Sequence, residues 1–192
     1  MNWANRITLS RLLLTLLFVL ALNSSWEYAR TAALIIFLIA GLSDFVDGEI
    51  ARRYGDVTNF GMLMDPLVDK IMMAAAFISL VPLKAIPAWA ATAVVARDFL
   101  ITGLRMMAGT KGRVLPAERL GKHKTSWQIV TVIFFLLLLS IIELHYADVH
   151  TEWWHRAWHD AGRILIWITV GLTIFSGLGF AWNNRELIAP DQ

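Results

Sequence analysis

The chain has 192 residues, 57% of them hydrophobic, and no cysteine. Its mean hydropathy of +0.58 is too apolar for an ordinary soluble domain and fits a compact polytopic membrane protein. The net charge is only +2, from 17 Lys and Arg against 15 Asp and Glu, and without Cys there is no disulfide framework, thiol nucleophile or Cys-based metal site. The basic residues sit beside apolar spans rather than on a soluble face, which argues against nucleic acid as a partner.

Residues 1–22 carry Arg6 and Arg11 ahead of LLLTLLFVLAL, as a signal peptide would. No A-x-A-like cleavage site follows this short run, so residues 3–22 read instead as a first transmembrane helix with Arg11 inside it. Further apolar runs near 31–48, 61–82, 86–107, 124–143 and 163–182 bring the prediction to six helices, each near the ~20 residues needed to cross a bilayer. The whole chain, 1–192, reads as one all-α transmembrane domain.

Lys and Arg set the orientation. With the N-terminus inside, inner segments hold Arg6, Arg52, Arg53, Arg105, Lys111, Arg113, Arg119, Lys122, Lys124 and Arg185, whereas outer segments hold Arg30, Lys84, Arg156 and Arg163. The reading is therefore an inner-membrane protein with both termini cytoplasmic. Nearly every ionisable residue within a span then falls in the cytosolic half, around one polar cavity open to the cytosol.

The stretch DFVDGEIARRYGDVTNFGMLMDPLVD, from Asp44 to Asp69, carries the chemistry. On a helix Asp44, Asp47, Gly48 and Ala51 share one stripe, and Gly61, Asp65 and Asp69 share another. Intramembrane carboxylates at this spacing are costly and need a cationic partner. One unbroken helix would separate Asp47 from Asp65 by about 27 Å. The intervening RRYGDVTNF holds turn and N-cap residues, so the reading is helix, tight turn, helix, with the two Asp pairs folded together. Oxygen-only ligands suit Mg²⁺ or Mn²⁺. Pro66 is expected to kink the second of these helices.

The spacing Asp44-x2-Asp47-Gly48-x2-Ala51-Arg52-x8-Gly61-x3-Asp65-x3-Asp69 resembles, at all eight fixed positions, the motif of the CDP-alcohol phosphotransferases. The resemblance implies that Asp44, Asp47, Asp65 and Asp69 hold two divalent metals and that Asp69 is the catalytic base. It also implies that Asp47, Gly48, Ala51, Arg52 and Gly61 contact the CDP moiety, and that the protein is a homodimer, as family members commonly are.

A second constellation begins at Arg97-Asp98 and Arg105 and continues through a basic loop to Gly121-Lys122-His123-Lys124-Thr125 and Gln128. It is similar to one branch of that family, the phosphatidylglycerophosphate synthases, as is Asn5-x2-Thr8-x2-Arg11. Asp98 stands where relatives commonly have Glu. By this resemblance Asn5 and Thr8 join the CDP site, and Arg11, Arg97, Arg105, Lys122, Lys124 and Thr125 bind the acceptor's phosphate. The implied reaction transfers a phosphatidyl group from CDP-diacylglycerol to glycerol 3-phosphate. Other acceptors within the family are inositol phosphate, serine or a second phosphatidylglycerol as in cardiolipin synthesis. A rival from another class is a cation transporter using the same carboxylates.

The outer segment ELHYADVHTEWWHRAWHDAGR reads as an interfacial helix anchored by Trp153, Trp154 and Trp158. His155 and His159 have the i, i+4 spacing of a helical metal pair, on the side of the membrane away from the aspartates, and are assigned no chemistry.

Overall fold

The computed structural model describes residues 3–54, 59–110, 119–144 and 152–185; for 3–8, 44–54, 59–66, 69, 110, 119–123, 152–155 and 157 it describes only the backbone course. All regular structure among these residues is helical, in six elements: α1 (Trp3–Leu22), α2 (Ala29–Tyr54), α3 (Asn59–Leu80), α4 (Ala88–Thr110), α5 (Arg119–Glu143) and α6 (Glu152–Asn183).

The first helix coincides with its predicted span. α2 runs six residues past its span, through IARRY, because Ala, Arg and Ile keep a helix going after the apolar run has ended. α3 continues as helix through Pro66. The outer Trp-rich segment departs from expectation. Among the described residues no separate interfacial helix forms: Glu152 to Arg163 are the opening turns of α6, which is continuous for 32 residues. EWWHRAWHDAGR contains no proline, and its Glu, Arg and Ala residues favour helix, so the chain stays helical into the apolar run.

α1 packs on α2 and α3, α2 on α5, α5 on α6, α6 on α4, and α4 on α3, which closes a ring in which α3 also touches α5. The core inside this ring draws on every helix, with Phe18, Phe37, Phe77, Leu80, Val94, Leu136 and Val170 buried. The Phe18 and Phe37 rings, from α1 and α2, lie 5.8 Å apart. Outward stripes are apolar too: Leu9, Leu13, Leu16 and Leu20 on α1, and Ile164, Trp167, Ile174, Phe175, Leu178 and Trp182 on α6, are all exposed. Lys124–Glu143 of α5 and Trp158–Asn183 of α6 are long and apolar enough to cross a membrane.

Two local devices fix one end of the bundle. The first turn of α2 offers amides that have no partner within the helix. Glu143, at the end of α5, supplies one: its carboxylate accepts from the amides of Arg30 (3.0 Å) and Thr31 (2.8 Å) and from the Thr31 hydroxyl (2.8 Å). A negative charge at a helix N-terminus also meets the positive end of the macrodipole. At the end of α3, Ala85 N–H donates to Leu80 O (3.2 Å) and Lys84 N–H to Val81 O (2.9 Å), a Schellman motif. Its left-handed position, usually glycine, is Lys84 with φ 58°. A side chain there costs roughly 1–2 kcal/mol.

Candidate active site

α2 is described to Tyr54 and α3 from Asn59, and the turn expected between the two aspartate pairs, at 55–58, lies outside the described residues. Asp44 and Asp47 lie in the second half of α2, and Asp65 and Asp69 in the first half of α3. Three- and four-residue spacings on continuous helix bring each pair within one turn. The side chains of these aspartates lie outside the described residues. So do those of Asn5, Thr8, Gly48, Ala51, Arg52, Gly61 and Lys122, and with them the cavity they were expected to line. A set of four carboxylates without nitrogen or sulfur ligands fits a hard divalent cation.

The second constellation is described in atomic detail. Asp98 is buried in α4, and Lys124, only 1% exposed, enters from the start of α5 to form an ion pair with its Oδ1. Arg97 Nη1 donates to the same oxygen at 3.2 Å, and Gln128 Nε2 to Oδ2 at 3.3 Å. Arg97 also reaches α6, where its Nη2 donates to Ser176 Oγ at 2.9 Å. Asp98 thus joins α4 to α5, and Arg97 joins both to α6. A buried ammonium is tolerable only with such a partner.

Two cations on one anion leave this cluster with an excess positive charge. Arg105 is exposed two turns beyond Arg97, its guanidinium carbon 5.4 Å from the centre of the Phe180 ring. Arg11 and Thr125 are half-buried. The structure therefore brings Arg97 and Lys124 together on Asp98 and leaves Arg105 exposed.

α6 contributes residues that the sequence reading passed over. Beside Arg97 sits Gly177, and a Cβ there would approach Arg97 Cγ to 2.9 Å. One and two turns earlier, Thr173 and Thr169 are fully buried, and Thr169 shares a hydrogen bond of 2.7 Å with Thr131 of α5. The spacing Thr169, Thr173, Ser176 on an otherwise apolar helix was the available signal, since small hydroxyl residues on one stripe mark helix–helix contact in apolar surroundings.

A family model, CDP-alcohol phosphatidyltransferase, matches residues 1–175. The chain belongs to this family. Among its relatives, the CDP-diacylglycerol–glycerol-3-phosphate 3-phosphatidyltransferase of Bacillus subtilis is 33% identical, over 97% of each chain. The Rickettsia felis protein of the same name is 30% identical over 93% of each. A probable phosphatidylglycerophosphate synthase of Mycobacterium tuberculosis is 39% identical over 77% of this chain and 71% of its own. As a CDP-alcohol phosphatidyltransferase, the chain carries within its family match both aspartate pairs and all of the Asp98 cluster except its α6 partner. That match ends one residue before Ser176.

Proposed function

We propose that this protein transfers the phosphatidyl group of CDP-diacylglycerol to the primary hydroxyl of sn-glycerol 3-phosphate and releases CMP. The observation that carries the reading is near-full-length similarity to two proteins named for that reaction. It is supported by the excess positive charge where Arg97 and Lys124 meet Asp98, beside exposed Arg105.

In this reading Asp44, Asp47, Asp65 and Asp69 hold two Mg²⁺ or Mn²⁺ ions, which supply neutralisation of the donor diphosphate. Asp69 takes the proton from the acceptor hydroxyl as its oxygen attacks the phosphorus that carries the diacylglycerol. The bond from that phosphorus to CMP breaks in the same displacement, so no covalent enzyme intermediate is required. Gly48 lets the nucleotide approach the α2 backbone, and Arg52 pairs with a donor phosphate. Asp98 holds Arg97 and Lys124 in fixed directions, and the positive charge they retain, with Arg105 and Lys122, receives the acceptor's phosphate.

All six helices span the inner membrane, with both termini and the aspartate end cytosolic. The exposed apolar stripes of α1 and α6 favour this: such large patches are unfavourable in water and neutral against lipid. Purified protein given labelled CDP-diacylglycerol should release CMP with glycerol 3-phosphate and not with serine, inositol phosphate or phosphatidylglycerol. Turnover with one of those and none with glycerol 3-phosphate would leave the family in place and remove the acceptor.

A further inference from the structure

A cavity of about 510 Å³ opens at the end of the bundle away from the aspartates, outside the proposed active site. The α3–α4 turn, the last turns of α5 and the opening turns of α6 line it. Its body is apolar, built from residues such as Leu139, Ile142 and Ile166, and three tryptophans edge it, Trp89, Trp158 and Trp167. Trp89 and Trp167 sit with ring centres 5.3 Å apart, and Phe134 braces Trp158 at 4.9 Å. Its volume falls within the roughly 300–1,000 Å³ usual for ligand pockets.

Two cations stand at this cavity, Lys84 and Arg163, both exposed. No carboxylate is among the described lining residues, and neither cation forms an ion pair among the described residues. His159 also lines it and faces the carboxylate of Asp160 at 3.7 Å, outside the lining. Lys84 is the more telling of the two. It occupies the left-handed position of the α3 Schellman motif, where glycine would relieve the backbone, so the side chain stands there against local preference. An apolar body, an aromatic rim and two unneutralised cations form the complement of an amphiphile with an anionic head.

The geometry points to a binding site for an anionic phospholipid of the outer leaflet, with its phosphate between Lys84 and Arg163 and acyl chain against Leu139, Ile142 and Ile166. This rests on the bilayer orientation proposed above, but not on the choice of acceptor. The test uses the full-length protein in phosphatidylcholine nanodiscs doped with phosphatidylglycerol or phosphatidylcholine, each bearing a diazirine on one acyl chain. After irradiation, labelling is mapped by mass spectrometry on peptides covering 135–142 and 158–167. The anionic probe should label these at least five-fold more than the zwitterionic one. Lys84→Gly combined with Arg163→Gln should bring the two probes level. Lys84→Gly suits its φ and is expected to keep or raise the melting temperature, so lost labelling would not reflect unfolding. Lys84→Gly combined with Arg163→Lys should restore part of the preference. Equal labelling by both probes in the unaltered protein, or a preference that survives in Lys84→Gly/Arg163→Gln, overturns the site. CMP release from the same nanodiscs reports separately on the transferase reading, so either can fail alone.

Discussion

Replacing Gly177 with Ala tests whether Arg97 serves the acceptor. The added Cβ would lie 2.9 Å from Arg97 Cγ, an atom in the middle of that side chain rather than at its free end. Arg97 must therefore swing away, which breaks its 2.9 Å bond to Ser176 and disturbs its 3.2 Å bond to Asp98. On stability, overpacking of about 1–3 kcal/mol is partly offset by the ~0.5–1 kcal/mol that Ala gains over Gly in a helix. The net shift is small and a poor diagnostic. On binding, one charge-assisted hydrogen bond is worth about 1.5–3 kcal/mol, roughly ten- to 150-fold in affinity. The KM for glycerol 3-phosphate should rise by about that factor in a CMP-release assay, while the KM for CDP-diacylglycerol stays within about two-fold. Gly179→Ala is the control, since a Cβ there meets nothing within 4 Å. It should leave both constants unchanged and raise stability slightly. If Gly177→Ala matched that control, Arg97 would have no part in holding the acceptor.

Asp98→Asn leaves Lys124 buried without its counter-charge, so thermal unfolding in detergent should show a loss of about 3–5 kcal/mol. Glu143→Ala removes the carboxylate at the start of α2 and should cost about 1–2 kcal/mol in the same measurement, with Glu143→Gln retaining part because one acceptor oxygen remains. EDTA should abolish CMP release and Mg²⁺ or Mn²⁺ should restore it; full turnover without divalent metal sinks the carboxylate–metal assignment. Asp69→Asn should lower kcat by about 10²-fold or more with donor binding largely intact, whereas Asp44→Asn should weaken donor binding as well.

Much of the fold was legible because hydropathy and helix punctuation operate at short range. Six apolar runs became six helices. The two misread features are of another kind. The end of an apolar run bounds contact with lipid, not the helix, so α2 and α6 both extend beyond their spans. Interhelical partners were hidden as well, because Asp98 meets Lys124 across 26 positions and Glu143 meets Thr31 across 112. A single sequence says that a buried carboxylate needs a partner and does not say which cation in the chain supplies it. Ser176 and Gly177 were harder still: their importance lies in what Arg97 needs beside it, and nothing in the α6 sequence alone refers to α4.

The two interhelical carboxylates also bear on where the Asp98 network lies along the bundle relative to the aspartates of α2. Glu143 holds the start of α2 against the end of α5, so these helices run antiparallel from a shared origin at Thr31. From Glu143 back to Lys124 is 19 residues, a rise of about 28 Å along α5. The same distance along α2 from Thr31 arrives near residue 50, within a turn of Asp47. The cap at one end therefore sets the register that brings the Lys124–Asp98 pair level with the aspartate-bearing part of α2. Shifting either helix by a single turn would move that pair about 5 Å along the axis, more than a hydrogen bond can bridge. A charge pair rigid enough to span α4 and α5 and a carboxylate clamp between α2 and α5 thus act on one problem. In the proposed reading, they would hold the Arg97–Lys124 cations at a fixed height relative to the aspartates of α2.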